Sequence, residues 1–421
     1  MKSFLLTSKN IERDSYIWNM VGSLLSAFQS VILLMILTRT VDLVTAGVFT
    51  IANANANLFL NIGKFGMRNY QVSDVRHEYS FREYHRSRVW SVAAMLACSF
   101  FYIIYAAIAN NYTMEKALII LCVCVCKLPD AYEDVFYGEY QRNARLDVAA
   151  KAMTIRMFVT IIFFGIAVVL THNLLFSVII TTIFTFVLMV YLLSITRGVI
   201  PAEKGTEPFH VKRLLMVCFP VFAAAFLAFY ICNAPKYAID ARLSDDLQAI
   251  YGFISMPVFV IGLLNSFIFN PLLFSLSCMW EEKKIGVFVK SIIKQTFIIA
   301  GIALFCIAGA YVFGIPVLSF LYNIDLTNYK VELLLLLVGG GFLGVGGVYT
   351  VVLTIMRQQK NLMWGYLVVA VLALICSSPV VRRWGIMGAV LLYDALMLAL
   401  CIVFFVMIVK CVFSVKNHFP N

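Results

Sequence analysis

The stretch NMVGSLLSAFQSVILLMILTRTVDLVTAGVFTIANANANLFLNIGKFGMRNYQVSD, residues 19–74, decides the fold of this chain. It holds two long apolar runs, parted by TRTVD and closed by GKFGMR. A run of about 20 apolar residues is what an α-helix needs to cross the hydrocarbon of a bilayer. Polar punctuation this short leaves room for a tight turn only, so the stretch reads as a membrane-spanning helical hairpin. Its polar residues are ordered. Asn19, Ser23, Ser26 and Ser30 recur at spacings of four, three and four, and Asn53, Asn57 and Asn61 recur every four residues, so each set lies on one helix face.

The remainder of the chain repeats the pattern. Of 421 residues 62% are hydrophobic and only 13% charged, with a mean hydropathy of +0.90, whereas a water-soluble domain carries roughly 45–50% apolar residues. Apolar runs and their polar breaks predict twelve spans, at 17–38, 43–63, 89–109, 117–136, 152–171, 174–196, 214–234, 247–275, 295–317, 331–355, 363–381 and 386–409. The fold class is therefore all-α, a polytopic membrane protein. That excludes a large soluble catalytic domain and a secreted disulfide scaffold. It also excludes an outer-membrane barrel, whose strands would alternate over about 10 residues.

A pI near 9.1 would suggest nucleic acid in a soluble protein, but here the distribution of charge explains it. With twelve spans both termini share one side, and that side carries 26 of the 33 basic residues. The other side holds Arg39, Lys116, Lys236, Arg242, Lys330, Arg382 and Arg383. This is the asymmetry expected when both termini are cytoplasmic, so the chain reads as a multi-pass protein of the inner, cytoplasmic membrane with no nucleic-acid partner. Residues 1–16 are too polar for a signal-peptide core, and the first span reads as retained. The 11 cysteines fall almost entirely within spans and lack a metal-site spacing, so they read as small hydrophobes. No metal or cofactor is expected.

The stretch RGVIPAEKGTEPFHVKR, residues 197–213, carries two prolines, two glycines and mixed charge. It reads as a linker between an N-terminal six-helix lobe, 1–205, and a C-terminal one, 206–421. Transporters are commonly built from two such halves.

A carboxamide facing hydrocarbon without a partner costs several kcal/mol by order of magnitude. The stripe of Asn53, Asn57 and Asn61 must therefore face protein or a water-filled cavity. It lines a path for a polar substrate or serves as hydrogen-bonding glue between helices, worth about 0.6 to 2 kcal/mol per contact. Ionisable residues at membrane depth are the sharper signal. Arg39 ends the first span, Lys64 and Arg68 follow the second, and Lys127, Asp130 and Asp134 share one side of the fourth. Arg156 lies a turn into the fifth span and Lys236 closes the seventh. For Arg39, Lys64 and Lys236 the alternative is snorkelling to a headgroup, and Lys127 with Asp130 could simply neutralise each other. Asp394, with no adjacent cation in sequence, is the foremost candidate for coupling to protons or sodium, and Asp130 is the second.

No catalytic constellation is present. There is no Walker lysine loop, no H-E-x-x-H and no G-x-S-x-G, so the chain does not read as an enzyme. The glycine run GGGFLGVGG at 339–347 lies inside a span and reads as close helix packing or a flexible point.

Residues 19–74 resemble the opening of polysaccharide flippases of the Wzx type, within the superfamily that also contains multidrug and toxin extruders and the peptidoglycan-precursor flippase. DAYEDVFYGEYQRNARLDVAAKAMTIR at 130–156 is similar to that family's fourth-helix and loop pattern, including Gln141 and Arg145. NAPKYAID at 233–240, AIYGFISMP at 249–257 and WGIMGA at 384–389 resemble its second-half landmarks. The resemblance covers essentially the whole chain. It implies two six-helix lobes around a central cavity that opens alternately to either face. The expected cargo is an undecaprenyl-diphosphate-linked oligosaccharide for O-antigen, capsule or exopolysaccharide assembly. It further implies contact with membrane lipids and partnership with a polysaccharide polymerase and a chain-length regulator. By position, Arg39, Arg68 and Lys236 are expected to hold the diphosphate, and Asn53, Asn57 and Asn61 to line the sugar path.

The alternative is an ion-coupled multidrug exporter of the same superfamily, since fold does not fix substrate. A major-facilitator transporter fits less well, because the loop of about 25 residues after the second span lacks the G-x-x-x-D-R-x-G-R pattern. A membrane polymerase or ligase would carry a long outer loop with catalytic Arg or His, and no outer loop here reaches that length.

Overall fold

The computed structural model describes residues 1–74, 78–201, 210–269 and 272–418, the side chains of 265–269, 274 and 415–418 excepted. Among the described residues there is no strand. The chain divides into two compact units, Met1–Phe226 and Leu227–Asn421. The division falls inside a helix, α10 (Val211–Arg242), about one span beyond the linker that the composition marks.

The first unit begins with a short helix, α1 (Lys2–Leu6), whose Leu5 is fully enclosed. Six longer elements follow: α2 (Ile11–Thr40), α3 (Leu43–Lys64), α5 (Phe81–Ala109), the pair α6 (Met114–Cys126) and α7 (Leu128–Arg142), α8 (Leu146–Thr171) and α9 (Leu174–Thr196). A seven-residue helix, α4 (Met67–Ser73), follows α3. Local chemistry sets the starts. Asn10 accepts from Arg13 N at 3.0 Å, Asp42 from Thr45 N at 2.6 Å and Asn173 from Phe176 N at 2.9 Å, each satisfying an amide that has no intrahelical partner. α5 starts with a capping box in which Ser80 and Glu83 exchange side-chain and backbone bonds. α3 ends where Phe65 and Gly66 both turn left-handed, at φ 49° and 65°. Gly66 is suited to that conformation, and a Cβ there would also press on Val221 at 3.1 Å.

The second unit continues through α11 (Asp245–Ser255), α12 (Val258–Phe269), α13 (Leu273–Glu281) and α14 (Ile285–Gly309). It closes with α15 (Ile315–Tyr322), α16 (Lys330–Ile355) and α17 (Gln359–His418).

Among the described residues ten helices are long and apolar enough to cross a membrane. The twelve predicted spans differ from these at two places, both with a physical reason. The fourth predicted span is broken at Lys127 into helices of 13 and 15 residues, neither of which reaches the ~20 residues a crossing takes. Pro129 at the start of α7 has no N–H to continue the α6 ladder. The last two predicted spans are fused in α17, whose 60 residues would run about 90 Å if straight. Gly385, at φ 58° and ψ −137°, interrupts it where the sequence predicts the break.

α3 is the most enclosed of the ten. α5 and α8 turn large apolar side chains outward instead, with Phe101, Ile108 and Leu170 69–76% exposed. Such a face is stable only where water is excluded, as it is in a bilayer.

Candidate functional site

The polar stripe of α3 satisfies much of itself. Asn57 Nδ2 donates to Asn53 O at 2.8 Å and to Asn53 Oδ1 at 3.0 Å, and Asn61 Nδ2 donates to Asn57 O at 2.9 Å. All three side chains are half-buried, whereas Asn55 on another face of the helix is 1% exposed. The back-bonding spends donors and leaves the Oδ1 atoms of Asn57 and Asn61 as acceptors on a half-open surface. That suits hydroxyl donors.

At the end of the stripe lies a cavity of about 520 Å³. Asn61 and Lys64 line it from α3, Asn19 from α2, Arg68 and Asn69 from α4, and Asp134 and Gln141 from α7. Val221, Phe222 and Ala225, about three turns into α10, close it. Phe222 is anchored by stacking on Phe65, their centroids 4.3 Å apart.

The groups behind the cavity wall fix its charge. Arg68 Nη2 donates to Gln141 Oε1 at 3.0 Å, while Arg68 Nη1 is 3.7 Å from Asp134 Oδ1. Asp134 is held more tightly from behind, where the fully buried Arg88 donates through Nη2 to its Oδ2 at 2.7 Å. Arg88 Nη1 donates to Gly63 O at 2.5 Å, and Ser91 Oγ donates to the same carbonyl at 2.7 Å. Arg88 thus neutralises the one carboxylate in the cavity wall and pins the last turn of α3, which presents Lys64. The wall is left with two cations, Lys64 and Arg68, and four carboxamides.

A second ion cluster lies deeper. Lys127 Nζ is 3.2 Å from Asp130 Oδ2 and donates to Gln29 Oε1 at 3.2 Å. Arg156 pairs with Asp130 and with Glu133 Oε2, and Tyr137 Oη donates to the same Glu133 oxygen at 2.8 Å. Two cations meet two anions, so the cluster is balanced and ties α2, α7 and α8 together. Asp130 sits there as a fixed counter-ion of two cations.

The three expected diphosphate ligands are not brought to one place. Arg39 is exposed in the last turn of α2, beside the start of α3, and Arg68 lies beyond the end of α3. The 22 residues of that helix put about 33 Å between its ends, too far for one phosphate group. Lys236 belongs to the second unit, half-buried in α10 with no ion pair among the described residues.

Asp394 sits in the second unit, after the break in α17. It makes no ion pair among the described residues, and its Oδ1 is buried without a hydrogen-bond partner. It lies directly over Gly339 of α16, where a Cβ would collide with Asp394 Oδ1 and meet the Tyr393 ring at 2.7 Å. The glycine run therefore provides close approach, and what it admits is a lone carboxylate.

Sequence reasoning missed Arg88 by counting it in the loop before the third span. The structure starts α5 at Phe81, which puts Arg88 two turns inside the helix. The signal was present: Ser80-x-x-Glu83 is a capping-box pattern. Gln71 and Glu139, which pair at 2.9 Å, carried no signal.

No protein-family profile matches the sequence. A protein from Staphylococcus aureus described as capsular polysaccharide biosynthesis protein CapF is 23% identical over 379 residues, covering 88% of this chain and 92% of that one. Among solved structures, the lipid II flippase MurJ in an inward closed conformation superposes with a TM-score of 0.70 at 12% identity, over 97% of this chain and 90% of that one. An inward-facing multidrug resistance MATE family transporter of the MOP superfamily gives 0.61 at 12% identity, over 97% and 99%. A eukaryotic MATE transporter gives 0.63 at 8% identity, also over 97% and 99%. The chain therefore has the fold of the MOP-superfamily transporters, an all-α polytopic membrane architecture whose neighbours here are transporters and flippases.

Proposed function

We propose that this protein is a flippase that moves an undecaprenyl-diphosphate-linked oligosaccharide across the cytoplasmic membrane for surface polysaccharide assembly, with capsule as the first candidate. The observation that carries the reading is the cavity beside Lys64 and Arg68. A diphosphate is bound by charge-assisted hydrogen bonds from cations at fixed positions. A sugar is bound by side chains that accept and donate, which Asn61, Asn69, Gln141 and the stripe above them supply. The likeness to a lipid II flippase and the distant relation to a capsule biosynthesis protein support the same substrate class.

In this reading both termini are cytoplasmic and the cavity is the loading site, since Lys64, Arg68 and the first residues share the basic side of the chain. Lys64 and Arg68 engage the diphosphate, the acceptors of Asn57 and Asn61 take the leading sugar, and Arg39 receives the diphosphate at the far end of α3. Placing the cations at opposite ends lets the substrate pass from one to the other instead of resting in a single deep well. Asp394, half-buried and without an ion pair among the described residues, is the group that couples the cycle to protons or sodium. A polysaccharide polymerase and a chain-length regulator are the partners that take up the product.

A cationic-drug exporter with this fold would present an anion in its cavity, whereas Asp134 is already neutralised by Arg88. Binding tests the distinction. Purified protein is expected to bind a polyprenyl-diphosphate oligosaccharide, with affinity falling at least tenfold in Lys64→Gln/Arg68→Gln, and to ignore a cationic dye. Dye binding that survives in that variant, with no binding of the lipid-linked glycan, would favour the exporter.

A further inference from the structure

A second cavity in the first unit, of about 490 Å³, is lined from the start of α5, from α7 and from the segment just after α9. It shares no lining residue with the loading cavity. Its floor is aromatic. Phe81 and Phe136 meet edge to face with centroids 5.4 Å apart, Tyr132 and Phe136 lie 5.6 Å apart, and His85 Nε2 is 2.8 Å from Tyr132 Oη. Arg82 and Arg197, both exposed, also line it, and among the described residues no acidic side chain does. Among the described residues the Arg197 guanidinium makes no hydrogen bond or ion pair.

The position of the cavity narrows what could occupy it. It lies in the first turns of one apolar helix and just past the last turn of another, where spans meet the headgroup layer. α5 has 29 residues, more than the ~20 a crossing takes, so its first turns extend beyond the hydrocarbon. The same end of the unit carries the N-terminal segment, whose Leu6 carbonyl accepts from Arg145 Nη2 at 2.7 Å. A leaflet facing clustered arginines and aromatics attracts anionic lipid. A soluble anion would gain nothing from an aromatic floor, and a zwitterionic phospholipid offers two guanidinium groups only a phosphate already balanced by its own ammonium.

We propose that this cavity binds the headgroup of an anionic glycerophospholipid of the surrounding leaflet. Arg82 and Arg197 hold its phosphate, and Phe81, Tyr132 and Phe136 pack against the glycerol and the first methylenes. The site is independent of the substrate reading, because any protein of this fold could carry it whatever it transports.

The test is retention of phosphatidylglycerol by the full chain, purified in detergent and measured by native mass spectrometry, against phosphatidylcholine and inorganic phosphate. The parent is expected to retain phosphatidylglycerol over phosphatidylcholine. Arg82→Gln/Arg197→Gln should reduce that retention roughly tenfold or more, with a smaller change for phosphatidylcholine, and Arg197→Lys should keep most of it. Should the double variant fail to elute as a single species, Arg197→Gln alone supplies the comparison. Undiminished phosphatidylglycerol retention in the arginine variants overturns the proposal. So does inorganic phosphate binding as tightly as the lipid, which would make the ligand a soluble anion.

Discussion

Replacing Arg88 by Met keeps a long apolar side chain in α5 but removes the only buried cation on Asp134 Oδ2. The structure limits where the loss falls. Gly63 O keeps its bond from Ser91 Oγ at 2.7 Å, so that carbonyl is not orphaned and contributes little. Asp134, 7% exposed, keeps only Arg68 at 3.7 Å, beyond hydrogen-bonding distance. Removing one partner of a buried pair while the other stays charged costs about 3–5 kcal/mol, and that is the expected destabilisation of Arg88→Met. Removing both partners, in Arg88→Met/Asp134→Leu, takes away the stranded charge and should recover most of the loss, so the two substitutions are non-additive by at least about 2 kcal/mol. Reversible unfolding of the protein in mixed micelles measures the cycle. The single variant has a second consequence, since the freed carboxylate draws Arg68 out of the cavity and weakens substrate binding. A stability for Arg88→Met within about 0.5 kcal/mol of the parent, or a cycle whose two effects simply add, would refute the role given to this pair.

Gly339→Ala drives a methyl group into the Asp394 carboxylate and the Tyr393 ring, and overpacking of this kind costs about 1–3 kcal/mol. A fall in melting temperature of the purified protein checks it, and an unchanged one would mean that α16 and α17 are not in the contact described. Asp394→Asn keeps the shape of the side chain and removes its charge. Transport is expected to persist down a substrate gradient but to lose its dependence on a proton or sodium gradient, measured in proteoliposomes under imposed gradients, whereas retained ion dependence would remove Asp394 from that role.

What the sequence made legible depended on how local the cause was. The spans were readable because each is a continuous apolar run, and even the break at Gly385 fell between two predicted helices. The break within the fourth predicted span was not legible, because a hydropathy window averages over the single missing N–H of Pro129 just after Lys127. The asparagine stripe was readable as a face, but its back-bonding to Asn53 and Asn57 depends on side-chain rotamers that spacing does not fix. The expected diphosphate ligands were chosen by charge and depth alone. The predicted spans already set Arg39 and Arg68 at opposite ends of the second one, and a choice by charge and depth made no use of that. The Arg88–Asp134 pair joins residues 46 apart in sequence. Only the capping signal at Ser80, read as extending α5, would have brought Arg88 inside the helix and into the protein interior, where a charge needs a partner.

The central claim is that Lys64 and Arg68 load a diphosphate-linked glycan from the leaflet on the side of the termini. The most direct measurement is the leaflet occupied by glycan-labelled lipid-linked oligosaccharide in cells that depend on this protein, comparing the parent with Lys64→Gln/Arg68→Gln at equal protein level. The account predicts that the labelled lipid accumulates on the cytoplasmic leaflet in the variant and that surface polysaccharide is lost. Labelled lipid reaching the outer leaflet at the parental rate in that variant would contradict it.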